Sequence, residues 1–292
     1  SLEITTPTEI LFEGFNQDTY KKVKSTLDLS EIREEFCYLF IGHWIQGDFG
    51  HDRKNVGLLI KSFCETFKNK QKQPALILKT SHAGSSYVDR DHTLKKIKSI
   101  KNTVKGKCPN VYLLHGDFTD SEINELYNHS KVKAMVSLTK GEGFGRPLLE
   151  FTQTKKPIIT TGWSGHTDFL KPDMSILLPG NLGGVHPSAR NEWFIEGAKW
   201  FDVDVTQLGR VLKDTYKKYK SFLPNSKRQA QYCKENFTYE KMKYLLGEIL
   251  DKKVKASPKQ VPLQLPKLKK IGGENGVELP KLKLPKLKKI EA

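Results

Sequence analysis

The chain has 292 residues, 37% of them hydrophobic, which suits one or two domains with a single core and a polar extension. Its formal net charge of +16 favours anionic partners: nucleic acid, acidic lipid or a phosphorylated small molecule. No run approaches the ~18 apolar residues of a membrane span, and no basic stretch leads into an apolar one at the N-terminus, so no signal peptide is expected. The chain begins with Ser1 rather than Met, as a trimmed or processed piece would.

In chain order, residues 35–44 (EFCYLFIGHW) read as a first strand, followed by a polar loop containing glycine. Residues 56–67 place Leu58, Leu59, Phe63 and Phe67 at helical spacing. Residues 74–81 form a short apolar run bounded by Pro74, which predicts a buried strand; 92–104 predict an amphipathic basic helix, and 110–118 a third strand. Residues 119–130 predict a helix with Thr119 as N-cap and Glu122 closing a capping box. Strands at 132–139 and 156–163 bracket a glycine-rich loop and a helix starting near Pro147. This alternation, in units of roughly 30 residues, predicts an α/β, Rossmann-like parallel sheet with helices on both faces. Beyond 163 the pattern thins to one more strand at 173–180 and long helices at 205–223 and 226–253, which pack on the sheet or reach back across a cleft.

Residues 1–251 are expected to be the globular part and 252–292 an extended basic C-terminal tail. The tail holds 12 lysines against Glu274, Glu278 and Glu291, and repeats LPKLKKI at 265–271 and 284–290. Its prolines forbid a continuous helix. It reads as a solvated tether, or as a docking segment for an acidic protein or an anionic membrane surface. Cys37, Cys64, Cys108 and Cys233 have no zinc or redox spacing and read as buried free thiols, which suits the cytoplasm. Two Asp-x-Asp runs, 89–91 and 202–204, read as solvated loop or capping acids, and no metal is expected.

The densest chemistry lies at 140–151, KGEGFGRPLLEF. The loop 141–145 falls between a strand's carboxyl end and a helix N-terminus, where ligands of open parallel sheets bind and unpaired N–H groups favour a phosphate. Glycine lets a ligand approach the backbone. Phe144 looks exposed. Glu150, placed in the first helical turn, suits vicinal hydroxyls such as those of a ribose, while Glu142 lies nearer to whatever the phosphate carries.

GEGFGRPLLEF resembles the E-x7-E signature of retaining glycosyltransferases with the two-Rossmann GT-B fold, of the group 1 or family 4 type. Residues 40–63 and 120–170 follow the same family's pattern of strand, loop, helix and signature, and the likeness runs from about Thr6 to Leu250. The resemblance implies one half of a GT-B fold, the donor-binding domain, which takes a nucleotide-diphosphate sugar as substrate with no cofactor. It implies that Glu142 is catalytic and touches the donor sugar, that Glu150 binds the ribose, and that Gly143, Phe144 and Gly145 offer N–H groups. It assigns the phosphate to Lys54 and the close approach of the first loop to Gly42. His43 stands where the family commonly has Arg, so Arg53 or Arg146 would supply a second cation. Asp168 stands where the family often has Glu. The resemblance also implies an acceptor-binding domain or partner subunit supplied from elsewhere. Two other functions fit the chain: a non-catalytic assembly module docked through the tail, and a glycosyltransferase acting on nucleic-acid bases, as some viral enzymes do. No nucleic-acid motif with interleaved aromatics supports the latter.

Overall fold

The structure, a computed structural model, describes residues 5–82, 84–192 and 194–254. The elements run β1 (Cys37–Ile41), α1 (Val56–Phe67), β2 (Ala75–Lys79), α2 (Tyr87–Asn102), β3 (Val111–Leu114), α3 (Asp120–Asn128), β4 (Val132–Ser137), α4 (Arg146–Thr152) and β5 (Ile158–Thr161). They continue with β6 (Ile176–Leu178), β7 (Gly180–Gly184), β8 (Lys199–Val203), α5 (Val205–Lys217), α6 (Tyr219–Asn236) and α7 (Tyr239–Lys253). The chain divides into two units, Ser1–Lys253 and Val254–Ala292; the repeats of the second lie outside the described residues.

Six strands form one sheet in the order β3-β2-β1-β4-β5-β6, and every pairing is parallel. The strands are largely apolar because both faces are covered. Tyr38, Phe40, Leu76, Leu78, Ala134 and Val136 pack with α1, α2 and α5 on one face. Their neighbours Cys37, Leu39, Ala75, Ile77 and Met135 pack with α3, α4 and α6 on the other. Each fully buried Leu, Ile or Phe in these layers contributes about 1.5–3 kcal/mol of transfer free energy. The four cysteines are free thiols, Cys108 half-buried and the others buried.

The strand order reverses between β1 and β4, so the loops leaving these two strands open away from each other and leave a crevice at their carboxyl ends. The loop after β1 spans 42–55 and the loop after β4 spans 138–145, which sets residues 42–54 beside 140–145.

The expected elements reappear with three differences. The second helix starts at Tyr87 rather than 92, because the Ser86 hydroxyl accepts from the Asp89 N–H and caps it five residues earlier. The hairpin β7–β8 is additional. The two C-terminal helical patterns form three helices. The first break is at Lys218, between α5 and α6, and α6 runs through Pro224. The second break is at Thr238, whose hydroxyl accepts from the Lys241 N–H and whose backbone pairs with Phe15.

Candidate functional site

Arg53 and Lys54 end the loop after β1 and point across the crevice at the loop after β4. Lys54 Nζ donates to Glu142 Oε1. Arg53 Nη1 donates to Gly141 O at 2.8 Å and Glu142 Oε2 at 3.3 Å. The Lys54 and Glu142 side chains are about nine-tenths buried. Burial alone would push the Glu142 carboxyl up; the Lys54 and Arg53 cations outweigh it and hold the group below the ordinary carboxylate range. Gly42 lies under this pair: a Cβ there would sit 3.3 Å from Lys54 Cε and from the Phe40 ring.

The loop carrying Glu142 is fixed from below by strand-end hydroxyls. Thr161 Oγ1 donates to Thr139 O at 2.8 Å, and Thr139 Oγ1 donates to Gly141 O at 3.0 Å. His166 Nε2 lies 2.6 Å from Thr161 O, so Nε2 carries the proton, and Nδ1 is buried without a hydrogen-bond partner among the described residues. Burial lowers the His166 pKa and keeps the ring neutral. From the side, the Glu142 N–H donates to Ser164 Oγ at 2.8 Å and the Gly165 N–H donates to Glu142 O at 3.2 Å. Gly165 crosses the glycine loop so closely that a Cβ would meet Gly143 O at 1.9 Å. Gly145 caps α4 at φ 94°, a left-handed conformation, with His166 packed 3.0 Å from the position of its missing Cβ. Gly143 is open, with nothing within 4 Å of that position.

Glu150 lies in the second turn of α4, not the first, because the helix starts at Arg146, ahead of Pro147. Its carboxylate accepts from Tyr127 Oη at 3.3 Å and Arg146 Nη2 at 3.4 Å. Burial raises its pKa, an effect that Arg146 only partly offsets. Glu150 and Arg146 line an open hollow of about 410 Å³ together with Glu13, Asn16, Tyr20 and Asp120. Arg146 therefore serves Glu150, and the second cation beside Glu142 is Arg53. Phe144 is half-buried rather than exposed, packed 5.1 Å from Phe169, centroid to centroid. His43 is exposed, 3.2 Å from Ser81 Oγ. Asp168 is exposed on the rim of a different open hollow, beyond Trp163.

Of the Asp-x-Asp acids only Asp89 departs from the expected solvated or capping role. Asp89 is buried and accepts from the His82 N–H at 3.0 Å, with His115 Nε2 2.8 Å away. Asp202 pairs with Lys140, and Asp204 caps α5. No cluster of potential metal ligands occurs among the described residues, nor is any helix among them long and apolar enough to cross a membrane. Ser164, His166 and Tyr127 were not singled out from sequence. Ser164 follows the fifth strand within a small-residue run, a signal for a loop near the site; a lone Tyr in a helix carries none.

Comparison with solved structures yields many matches. The C-terminal domain of a glycosyl transferase group 1 family protein from Francisella tularensis aligns over 77% of this chain and 100% of its own, at a TM-score of 0.53 and 13% identity. This is the fold of one half of a GT-B glycosyltransferase. HepE of Anabaena, solved with UDP and glucose, aligns over 84% of this chain and 57% of its own (TM-score 0.56, 14% identity). Sucrose-phosphate synthase from Thermosynechococcus elongatus aligns over 82% and 51% (TM-score 0.56, 15% identity). The chain thus spans about half of these last two proteins. No protein-family model and no curated protein sequence matches it.

Proposed function

We propose that this chain is the donor-binding half of a retaining glycosyltransferase. It takes a nucleoside-diphosphate sugar and transfers the sugar, with retention at the anomeric carbon, to an acceptor held by another domain or a partner subunit. The observation that carries this reading is the Arg53–Lys54–Glu142 cluster at the strand-order reversal, with Glu150 eight residues further on in its own hollow. HepE, about half of which shares this fold, was solved with UDP and glucose.

The cluster divides the work by charge. α4 has only seven residues, so its dipole is weak, and a departing diphosphate must be stabilised mainly by fixed cations. Lys54 serves that role, while Arg53 keeps Glu142 ionised when Lys54 turns to the phosphate. Glu142 then accepts from hydroxyls of the donor sugar. The bare Gly143 lets the ligand reach the N–H groups of residues 143–145, and Glu150, ordered by Tyr127 and Arg146, accepts from the ribose. The intact cluster favours a working donor site over a fold kept only for docking. The acceptor wall fits against α7, which has no fully buried residue and exposes Tyr244, Leu246 and Leu250. The tail repeats would add a docking contact to an acidic protein or anionic membrane surface.

A thermal-shift panel of UDP, GDP, ADP and their sugars tests this, followed by calorimetry on Glu150→Ala. At least one diphosphate should raise the melting temperature, and Glu150→Ala should weaken it about tenfold or more. If no diphosphate binds, the donor assignment fails.

A further inference from the structure

On the flank formed by the end of α4, α6 and residues 15–22 lies a second hollow, of about 310 Å³, at the lower end of the range for small-molecule sites. Lys21, Lys22, Lys155 and Lys234 line it, together with Gln153 and Tyr20, and among the described residues no carboxylate does. Among the described residues none of the four lysines forms an ion pair, although salt bridges are common elsewhere on the surface. A fifth, Lys156, is buried next to Lys155, and its Nζ donates to the carbonyls of Tyr127 at 2.7 Å and His129 at 3.0 Å. Burial, then Lys22 and Lys133, push its ammonium down to about 7; no carboxylate is among the causes.

The backbone that presents these cations is held in place. The buried amides of Asn124 and Asn128 donate to Lys21 O at 3.1 and 2.9 Å, which fixes the strap carrying Lys21 and Lys22. Lys155 adopts φ 60°, a left-handed conformation costly for a residue with a Cβ, in the turn that aims it at the hollow. Like charges gathered on an ordered backbone without counter-charge are unfavourable by themselves, and a bound anion relieves them. The hollow also has an apolar wall, Phe15 and Tyr20, and amide groups on Gln17 and Gln153.

We propose that this hollow binds a soluble phosphate monoester: the lysines hold the phosphoryl group, and its organic body lies on Phe15 and Tyr20. The site lies away from the Arg53–Lys54–Glu142 cluster, shares Phe15 and Tyr20 with the lining of the Glu150 hollow, and does not depend on the donor-site reading. A concave site of this size with one polar and one apolar wall suits a small ester better than a flat bilayer or an extended polymer.

The test uses the full chain and amide NMR at low ionic strength, where exposed charges are least screened. Inorganic phosphate and glucose 6-phosphate are titrated against wild type and the Lys22→Gln/Lys155→Gln double variant. Both lysines are exposed, so the variant should keep the wild-type melting temperature, measured alongside. In wild type the amides of Gln153, Lys155 and Ala230 should shift saturably, with glucose 6-phosphate tighter than phosphate. The double variant should bind at least about tenfold more weakly. Absence of a saturable shift, or equal affinity in both proteins, overturns the site. Phosphatidylglycerol vesicles or a single-stranded oligonucleotide perturbing these amides while glucose 6-phosphate does not overturns the choice of a soluble ester.

Discussion

Gly165→Ala tests whether the glycine loop is held by the chain crossing beneath it. The added Cβ would meet Gly143 O at 1.9 Å, Gly143 C at 2.7 Å and Phe144 Cα at 3.0 Å, all backbone atoms. Real Cβ contacts essentially never fall below 3.0 Å, so one segment must move by about 1 Å. Neither segment moves alone, because the Gly165 N–H is bonded to Glu142 O and the Glu142 N–H to Ser164 Oγ. Overpacking of this kind costs about 1–3 kcal/mol, or roughly 2–4 °C of melting temperature per kcal/mol for a domain of this size. The displaced backbone is that of residues 142–144, so diphosphate affinity should fall with stability. Gly143→Ala is the partner experiment: its Cβ meets nothing within 4 Å, so the melting temperature should hold while diphosphate binding weakens through obstruction of the approach. Differential scanning fluorimetry and calorimetry read both. Wild-type stability and binding in Gly165→Ala would refute the crossing as the support of the loop.

Glu150→Gln separates stability from binding. Burial raises the folded-state pKa of this carboxyl, so its stabilising contribution is complete below the unfolded carboxylate range and lost as pH rises through the raised value. The variant should therefore match or exceed wild-type stability in denaturant melts at pH 8, yet bind nucleoside diphosphate about tenfold more weakly, without the wild type's strengthening as pH rises. The thiols give an independent check on burial. Burial pushes Cys37 and Cys64 up to about 12 and Cys233 up to about 11. A disulfide-exchange reagent at pH 8 should thus modify at most Cys108 in the native protein and all four cysteines in denaturant, and two or more fast native thiols would contradict the packing.

The parallel sheet was legible because its central strands are buried on both faces and appear as unbroken apolar runs, as in CYLFI and ALILK. The hairpin was not. GNLGG has one apolar side chain in five, and β8 is placed by the Phe201 N–H donating to Lys140 O, a tertiary contact with no local signature. The early start of α2 was hidden because Tyr87 and Val88 are 80% exposed and leave no apolar period. Within the site, spacing placed Glu142 and Glu150 about α4, whereas Lys54 rested on the family resemblance. Tyr127 was beyond reach, because nothing local to α3 says that a hydroxyl there will meet a carboxylate on α4.

The threonine hydroxyls under the glycine loop bear on the thermodynamics of recognition. Thr161, Thr139 and the ring of His166 tie the loop to the sheet, so ordering a loop backbone, about 1–2 kcal/mol per residue, is completed on folding rather than on ligand arrival. Association should therefore carry a small entropic penalty, and the Glu142 and Gly165 amides, bonded within the fold, should already be protected from hydrogen exchange without ligand. The same stiffness gives the site little means to reshape itself around a second donor, so selectivity among donors would rest on shape set during folding.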